Sequence, residues 1–205
     1  MVGICTGVKP NFSFLAESGI ETDRGILVNR KLETNIKDVY AIGDCAQQRE
    51  AIGNRKPVEA VWYTGRMMGE TVAQTICGNP FEYNPGHWFN SAKFFDIEYQ
   101  TYGWVFSKKK DYEAHFHWHH EDDTKCITIA YHKDSMQFLG INTFGIRMKH
   151  EVFDRWLTEK RDVHFVMEHL KKANFDPEFY TQYESQIQRS FQQHQPINAY
   201  KETCL

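Results

Sequence analysis

The sequence predicts an α/β segment followed by an α+β domain. Three observations lead to this prediction: short apolar strands alternate with a long amphipathic helix near the start, a group of strand-like runs follows, and helical patterns occupy the remainder. A chain of 205 residues is long enough for one large domain or two small ones. We therefore expect domains at 1–82 and 83–191 and a flexible polar tail at 192–205.

The α/β segment is predicted from two apolar runs and one helical pattern. GILVN at 25–29 and VYAI at 39–42 are typical of short strands, and an i, i+3, i+4 rhythm continues over 57–77 until the sequence GNP ends it. Gly65 and Gly69 lie on the apolar stripe of this helix. Because a glycine inside a helix costs about 1 kcal/mol relative to alanine, the pair indicates that another backbone or a flat ligand comes close, although tight packing on the neighbouring sheet is the simpler explanation.

The second domain is predicted to contain an antiparallel meander followed by helices. The strand-like runs are separated by polar turns, as in a meander, and lie near 97–107, 112–120, 125–133 and 137–144. Helical patterns follow at about 149–160, 162–173 and 177–191, the last of them beginning at Asp176-Pro177.

The composition restricts the class of protein. The apolar fraction of 41% and the aromatic fraction of 15% are typical of a globular chain. A net charge of −3 gives no reason to expect nucleic acid as a partner. No run approaches the roughly 20 apolar residues of a membrane helix, and no signal-peptide pattern opens the sequence. Five scattered cysteines indicate reduced thiols, so we expect a cytoplasmic protein.

Three histidines are candidates for a metal site. His115, His117 and His119 alternate with apolar residues along one predicted strand, which places all three imidazoles on one face. A strand with one packed and one solvated face gives the same pattern, and no fourth ligand is obvious. We therefore predict no metal site.

The segment TNIKDVYAIGDCA at 34–46 contains the strongest candidate binding residues. An apolar run at 39–42 leads directly into Gly43 and Asp44. A carboxylate at the end of a buried strand costs free energy unless a partner is present, and a glycine beside it allows another group to approach the backbone. These residues indicate a ligand at the carboxyl edge of a sheet. The alternative is that Asp44 caps the next segment.

Several motifs resemble those of flavin-dependent pyridine nucleotide-disulfide oxidoreductases. They are GVKPN at 7–11, GIETDRGILV at 19–28 and the segment at 34–46, which matches the pattern T-x-x-x-x-V/I-Y-A-I-G-D of the second flavin contact in that family. Val58 to Val61 and Gly65-Arg66 are most similar to the ferredoxin reductase and apoptosis-inducing-factor branch. The resemblance is close over residues 1–79 and loose beyond them.

The resemblance implies FAD as the cofactor and a role for two residues at the turn. Residues 1–82 would be the C-terminal part of an FAD-binding, Rossmann-like domain. Asp44, next to Gly43, would accept hydrogen bonds from the ribityl hydroxyls of FAD, because a carboxylate offers only acceptors and charge-assisted hydrogen bonds are the stronger kind.

The resemblance also implies flavin contacts at the start of the helix. Ala60, Val61 and Trp62 would place helix N-terminal amides near the O2–N1 edge of the isoalloxazine, where the reduced flavin carries negative charge. Glu59 matches a position that forms a charge pair near the flavin, with a basic partner expected outside this sequence. For Trp62, a core ring on the helix stripe is the alternative.

The sequence lacks both phosphate-binding fingerprints of the family. No glycine is followed two residues later by another glycine, so neither G-x-G-x-x-G turn is present. We therefore expect the C-terminal portion of a longer enzyme, without its N-terminal FAD and NAD(P) domains. The parent protein would use NADH or NADPH to reduce FAD and pass electrons to a protein or a small acceptor. No catalytic residue can be named, and this chain alone is expected to be inactive.

A second interpretation is a non-catalytic interaction module with vestigial flavin-binding residues. The second domain commonly serves as the interface domain in this superfamily, and a homodimer would follow. The aromatic stretches at 104–106 and 153–156 are candidates for such an interface, although core packing explains them equally well.

Overall fold

The computed structural model describes residues 2–194, which divide after Gly86 into two compact units. Unit 1 comprises residues 2–86 and unit 2 comprises residues 87–194. The predicted tail at 192–205 lies outside the described residues, apart from residues 192–194, which belong to the last helix.

Unit 1 is a small α/β unit with two parallel strands and one long helix. Strand β1 (Ile26–Val28) pairs with β2 (Ala46–Gln48), and helix α1 is Trp62–Ile76. Short 3-10 turns occur at Ser13–Leu15 and Gly43–Cys45. The core combines both strands, the loop after β1 and the inner face of α1, and its buried side chains are Ile26, Val28, Leu32, Ala41, Ala46, Met68, Val72 and Tyr83.

The second predicted strand, at 39–42, is wrong. Tyr40 forms only an isolated bridge with Glu33, and the amide of Ala41 donates to the carbonyl of Leu32. The segment is extended but folds back on the preceding loop, so it has no continuous ladder. The strand that pairs with β1 begins instead at Ala46, after the Gly43–Cys45 turn.

Helix α1 begins five residues later than predicted. The carbonyl of Pro57 accepts a hydrogen bond from the amide of Gln48, which holds this segment against the end of β2. Val61 is still extended, with φ −134° and ψ 131°. The apolar rhythm therefore continues through a segment that is not helical. At the other end the predicted stop is confirmed, because the helix ends at Ile76 and Gly78 has a φ of +85°.

The two glycines of α1 face the chain just before Asp44. A Cβ on Gly65 would lie 3.5 Å from the Cα of Gly43, and a Cβ on Gly69 would lie 3.9 Å from the Cδ1 of Ile42. The approach of another backbone to this stripe is therefore confirmed. Both distances are ordinary van der Waals contacts, so packing alone does not require glycine at either position.

The substitution Gly69→Ala is expected to stabilise unit 1 by about 0.5–1 kcal/mol, because it removes the helix penalty of glycine and adds a methyl group where there is room for it. Chemical denaturation, monitored by the exchange of amides in unit 1, measures the change in the free energy of unfolding. Gly25→Ala is the matched control and should destabilise, since its Cβ would lie 2.7 Å from the carbonyl oxygen of Cys45. Loss of stability in Gly69→Ala would contradict this account of the helix face.

Unit 2 is an α+β domain built on a five-stranded antiparallel sheet. Its strands are β3 (Phe89–Phe94), β4 (Ile97–Gly103), β5 (Glu113–His119), β6 (Cys126–His132) and β7 (Phe138–Phe144). The strand order is β3-β4-β7-β6-β5. The predicted simple meander is therefore wrong in one respect, because β7 lies between β4 and β6. Strand β3 was not predicted, since FNSAKF lacks clear apolar alternation.

The helices of unit 2 pack on one face of the sheet and form a single core with it. They are α2 (His150–Thr158), α3 (Val163–Glu168) and α4 (Glu184–His194), with a 3-10 turn at Leu170–Ala173. The helix predicted at 162–173 is thus divided, and the one predicted from 177 begins at Glu184. The amides of Phe179 and Tyr180 both donate to the carbonyl of Asp176, so that segment forms a turn.

The aromatic stretches proposed as an interface have different positions. Phe153 and Trp156 are 0% and 3% exposed and belong to the core of unit 2. An interface built on them is therefore wrong. Trp104 is partly exposed and stacks on Trp88 and Phe106, with ring centroids 5.7 and 5.6 Å apart. Within residues 2–194, no helix is both long and apolar enough to cross a membrane.

Candidate functional site

The turn that carries Asp44 is shaped by its glycine. Ile42 is extended, and Gly43 then adopts a φ of +74°, which is the left-handed region that a side chain disfavours. This change of direction starts the 3-10 turn Gly43–Cys45, from which β2 continues. Asp44 therefore stands at the outer side of the turn and is exposed.

The carboxylate of Asp44 has no hydrogen bond or ion pair with any of residues 2–194. The residue at the N-terminal end of the turn is Ile42, and no side chain caps it. The capping alternative is therefore wrong. Both carboxylate oxygens remain available as acceptors for hydroxyl donors, which is the chemistry that the sequence predicts.

The turn packs on the first half of α1. The amide of Gly43 donates to the sulfur of Met68 over 3.4 Å, and the backbone at Gly43 lies against Gly65. The hydroxyl of Thr64 donates to the carbonyls of Val61 and Glu59, at 2.8 and 3.3 Å. These contacts bring the Asp44 turn and the beginning of α1 into one surface.

The N-terminus of α1 has no side-chain cap. Val61 occupies the cap position and is half-buried, whereas Ala60 is exposed. Uncapped first-turn amides and the positive end of the helix dipole favour a negative group. Trp62 is 69% exposed, so the alternative that it is a core ring is wrong. Its indole makes an edge contact with the ring of Tyr63 and lies under the guanidinium of Arg66.

Glu59 points into unit 1 and has a partner within this chain. Its carboxylate accepts a hydrogen bond from Arg55 Nη1 over 2.9 Å, and the two side chains are only 8% and 5% exposed. The expectation that its basic partner lies outside this sequence is therefore wrong. Arg55 Nη2 also donates to the carbonyls of Pro85 and Gly86, both at 3.2 Å.

Burial near this ion pair shifts the pKa values of Glu59 and of Tyr83. Burial raises the pKa of Glu59 above its ordinary value, while the charge of Arg55 opposes this shift. Burial also raises the pKa of Tyr83 to about 12, with Arg55 lowering it and Glu59 raising it further. Sequence analysis missed Arg55 and Tyr83. Arg55 could have been found from the sequence, because it lies four residues before the oppositely charged Glu59.

The stability of unit 1 is expected to depend on pH through Glu59. Its pKa in the folded state is raised above 4.5, so the folded chain holds this proton more tightly than the unfolded chain. The free energy of unfolding should therefore contain a contribution that is present below pH 4.5 and is lost as the pH rises through the folded-state pKa. Urea unfolding at several pH values should show that Glu59→Gln lacks this decrease; identical profiles for both proteins would contradict it.

The three histidines of β5 interact with separate neighbours. His115 lies 3.4 Å from Glu113, His117 is 2.9 Å from the hydroxyl of Thr128, and His119 is 3.2 Å from Asp123. In the part of the chain that the structure describes, no group of three or more His, Cys, Asp or Glu residues could hold a metal ion.

The residues at the Asp44 turn fit one part of a flavin cofactor. An exposed carboxylate without a partner among residues 2–194 suits hydroxyl groups, and an uncapped helix N-terminus suits an electron-rich ring edge. Asp44 and the first turn of α1 would hold such a group. The described structure brings Gly43, Asp44 and α1 together, whereas the side chain of Glu59 is turned inward against Arg55.

Comparison with known proteins identifies relatives of this chain. Residues 1–70 match the family model described as pyridine nucleotide-disulphide oxidoreductase. The chain is 37% identical over 106 residues to a ferredoxin–NAD(P)(+) reductase from Sphingomonas sp, covering 50% of this chain and 25% of the relative. It is 38% identical over 78 residues to the NADH-rubredoxin oxidoreductase of Clostridium acetobutylicum, covering 38% of this chain and 19% of the relative.

A solved structure shares the fold. The NAD-dependent persulfide reductase from A. fulgidus superimposes with a TM-score of 0.64 at 16% identity, covering 80% of this chain and 33% of the other. The chain thus spans about a quarter or less of the two curated relatives and a third of this structure. The family resemblance of the turn at 34–46 is confirmed. Residues 1–70 are therefore similar to the pyridine nucleotide-disulphide oxidoreductase family, whose members bind FAD and use NAD(P)H.

Proposed function

We propose that this chain is the C-terminal portion of a flavin-dependent NAD(P)H oxidoreductase. Unit 1 would be the last part of the FAD-binding domain, and unit 2 would be the interface domain. The names of the relatives, a ferredoxin reductase and a rubredoxin oxidoreductase, favour a small electron-transfer protein as the acceptor. Separate N-terminal sequence would contribute the two phosphate-binding turns that this chain lacks.

The observation that carries the proposal is that the carboxylate of Asp44 is exposed and has no hydrogen-bond partner within residues 2–194. This residue stands on a turn that packs against α1. Asp44 would bind ribityl hydroxyls, and the first turn of α1 would stabilise negative charge at the O2–N1 edge. When bound, FAD would supply the hydride and electron chemistry.

The test uses the longest reading frame of the source genome that includes this sequence. We expect its product to purify with FAD and to oxidise NADH or NADPH with an artificial electron acceptor. The 205-residue chain alone is expected to bind flavin weakly or not at all. A product without flavin would overturn the proposal, and a stable yellow protein obtained from the chain alone would overturn its incompleteness.

Dimerisation through unit 2 is the second candidate function. Phe94, Phe95 and Ile97, at the turn between β3 and β4, are 62%, 97% and 55% exposed. Apolar side chains grouped in this way favour an interaction surface. Sedimentation of the isolated chain measures this directly, and a monomer at high concentration would contradict it.

A further inference from the structure

Arg55 is buried in a loop, where an arginine is costly. The residue is 9% exposed, and it lies in the irregular segment between β2 and α1. Removing a guanidinium from water is unfavourable unless several hydrogen bonds compensate. Arg55 therefore belongs to the interior only because of the groups it contacts.

Those groups lie at two separate places in the chain. One is the carboxylate of Glu59, three residues before α1 begins, and the other is the pair of carbonyls at Pro85 and Gly86, where unit 1 ends. The planar fork of a guanidinium can reach both at once, which a lysine ammonium cannot do with the same geometry. Arg55 thus connects the entrance of α1 to the last residues of unit 1.

The entrance of α1 has few other anchors. Trp62 is exposed, and Ala60 is exposed as well. Besides the contacts of Arg55, residues 59–61 are held by the hydroxyl of Thr64, which donates to the carbonyls of Val61 and Glu59, and by the hydrogen bond from the amide of Gly65 to the carbonyl of Val61. The hydrogen bond from the amide of Val61 to the carbonyl of Glu59 lies within the segment itself.

We propose that Arg55 is a positioning residue for the flavin contact: its guanidinium fixes residues 59–61 and, through them, the first turn of α1 beside the Asp44 turn. This inference rests on the proposed function. It assigns to Arg55 no contact with the flavin itself, because its donors are directed to Glu59, Pro85 and Gly86.

The first measurement is amide exchange of the 205-residue chain and needs no flavin. In Arg55→Lys and Arg55→Gln, the amides of Val61 and Gly65 should exchange about tenfold faster through local opening, while that of Leu27 in β1 stays unchanged. The control is Glu70→Gln, which removes the charge of an i, i+4 pair with Arg66 whose side chains are 62% and 61% exposed and leaves Arg66 over Trp62. It should leave all three amides unchanged.

Two results of this measurement would overturn the proposal. If Arg55→Lys exchanges like the unaltered chain, charge alone is sufficient and the fork positions nothing. If all amides of unit 1 accelerate together in both variants, Arg55 is a global stability anchor instead of a local positioning residue.

The second measurement uses the product of the longest reading frame. Arg55→Lys should retain the fold and bind FAD about tenfold more weakly by equilibrium titration, whereas Glu70→Gln should bind it normally. Faster exchange at Val61 with unaltered FAD affinity would overturn the positioning role. If the unaltered product binds no flavin, the proposed function itself fails, and the exchange data show separately whether Arg55 holds the segment.

Discussion

Asp44→Ala is expected to weaken FAD binding by the product of the longest reading frame about 10- to 100-fold. Hydrogen bonds to a charged group contribute roughly 1.5–3 kcal/mol, and this substitution removes both acceptor oxygens. Asp44→Asn keeps one acceptor oxygen, so its FAD affinity should lie between those of the unaltered protein and of Asp44→Ala. Because Asp44 is exposed and has no partner within residues 2–194, neither change should alter the free energy of unfolding by more than about 0.5 kcal/mol. Fluorescence titration with FAD measures the affinity.

The control for this prediction is Asp38→Asn, in the same loop. Asp38 is exposed and has a φ of +62°, a conformation that asparagine tolerates. It should leave FAD affinity unchanged. Equal losses in Asp38→Asn and Asp44→Asn would show that the loop acts only through its overall negative charge, and an unchanged affinity in Asp44→Ala would remove this residue from the site.

Phe153→Ala is expected to destabilise unit 2 by about 3–5 kcal/mol, the usual cost of deleting a buried phenyl ring. Phe153 is 0% exposed, and its ring lies 5.1 Å from Tyr102, 5.4 Å from Trp156 and 6.0 Å from Phe138 between centroids. The cavity would open between α2 and the sheet. Chemical denaturation, monitored by the exchange of amides in β6 and β7, measures the change in the free energy of unfolding.

The matched control is Phe179→Ala, at a ring that is 81% exposed. Its effect should stay within about 0.5 kcal/mol. A cost below about 1.5 kcal/mol for Phe153→Ala would contradict the assignment of this ring to the core of unit 2.

The sequence predicted the strands of unit 2 better than their order. Alternation in β5 and β6 reports which side chains face the core, and these strands are found within one residue of prediction. Alternation says nothing about which strands become neighbours, so β7 between β4 and β6 was missed. The same limit explains the wrong strand at 39–42, where an apolar extended segment lacks a ladder partner.

The site was predicted from chemistry that is local in the sequence. Gly43 and Asp44 were singled out as candidates because a glycine and a carboxylate directly follow an apolar run. Arg55 and Tyr83 were missed because their roles depend on burial and on contacts with distant backbone, Pro85 and Gly86 in the case of Arg55. The start of α1 was misplaced because Val58 and Val61 keep a helical apolar rhythm in an extended segment.

The place of β7 in the sheet has a consequence for synthesis on the ribosome. Thr101 in β4 pairs with Asn142, so one edge of the β3–β4 hairpin has no neighbour until about forty further residues have emerged. During that interval an unpaired strand edge is open to pairing with other nascent chains. Slow codons between the two segments would prolong this exposure, and a chaperone that shields extended backbone would shorten it.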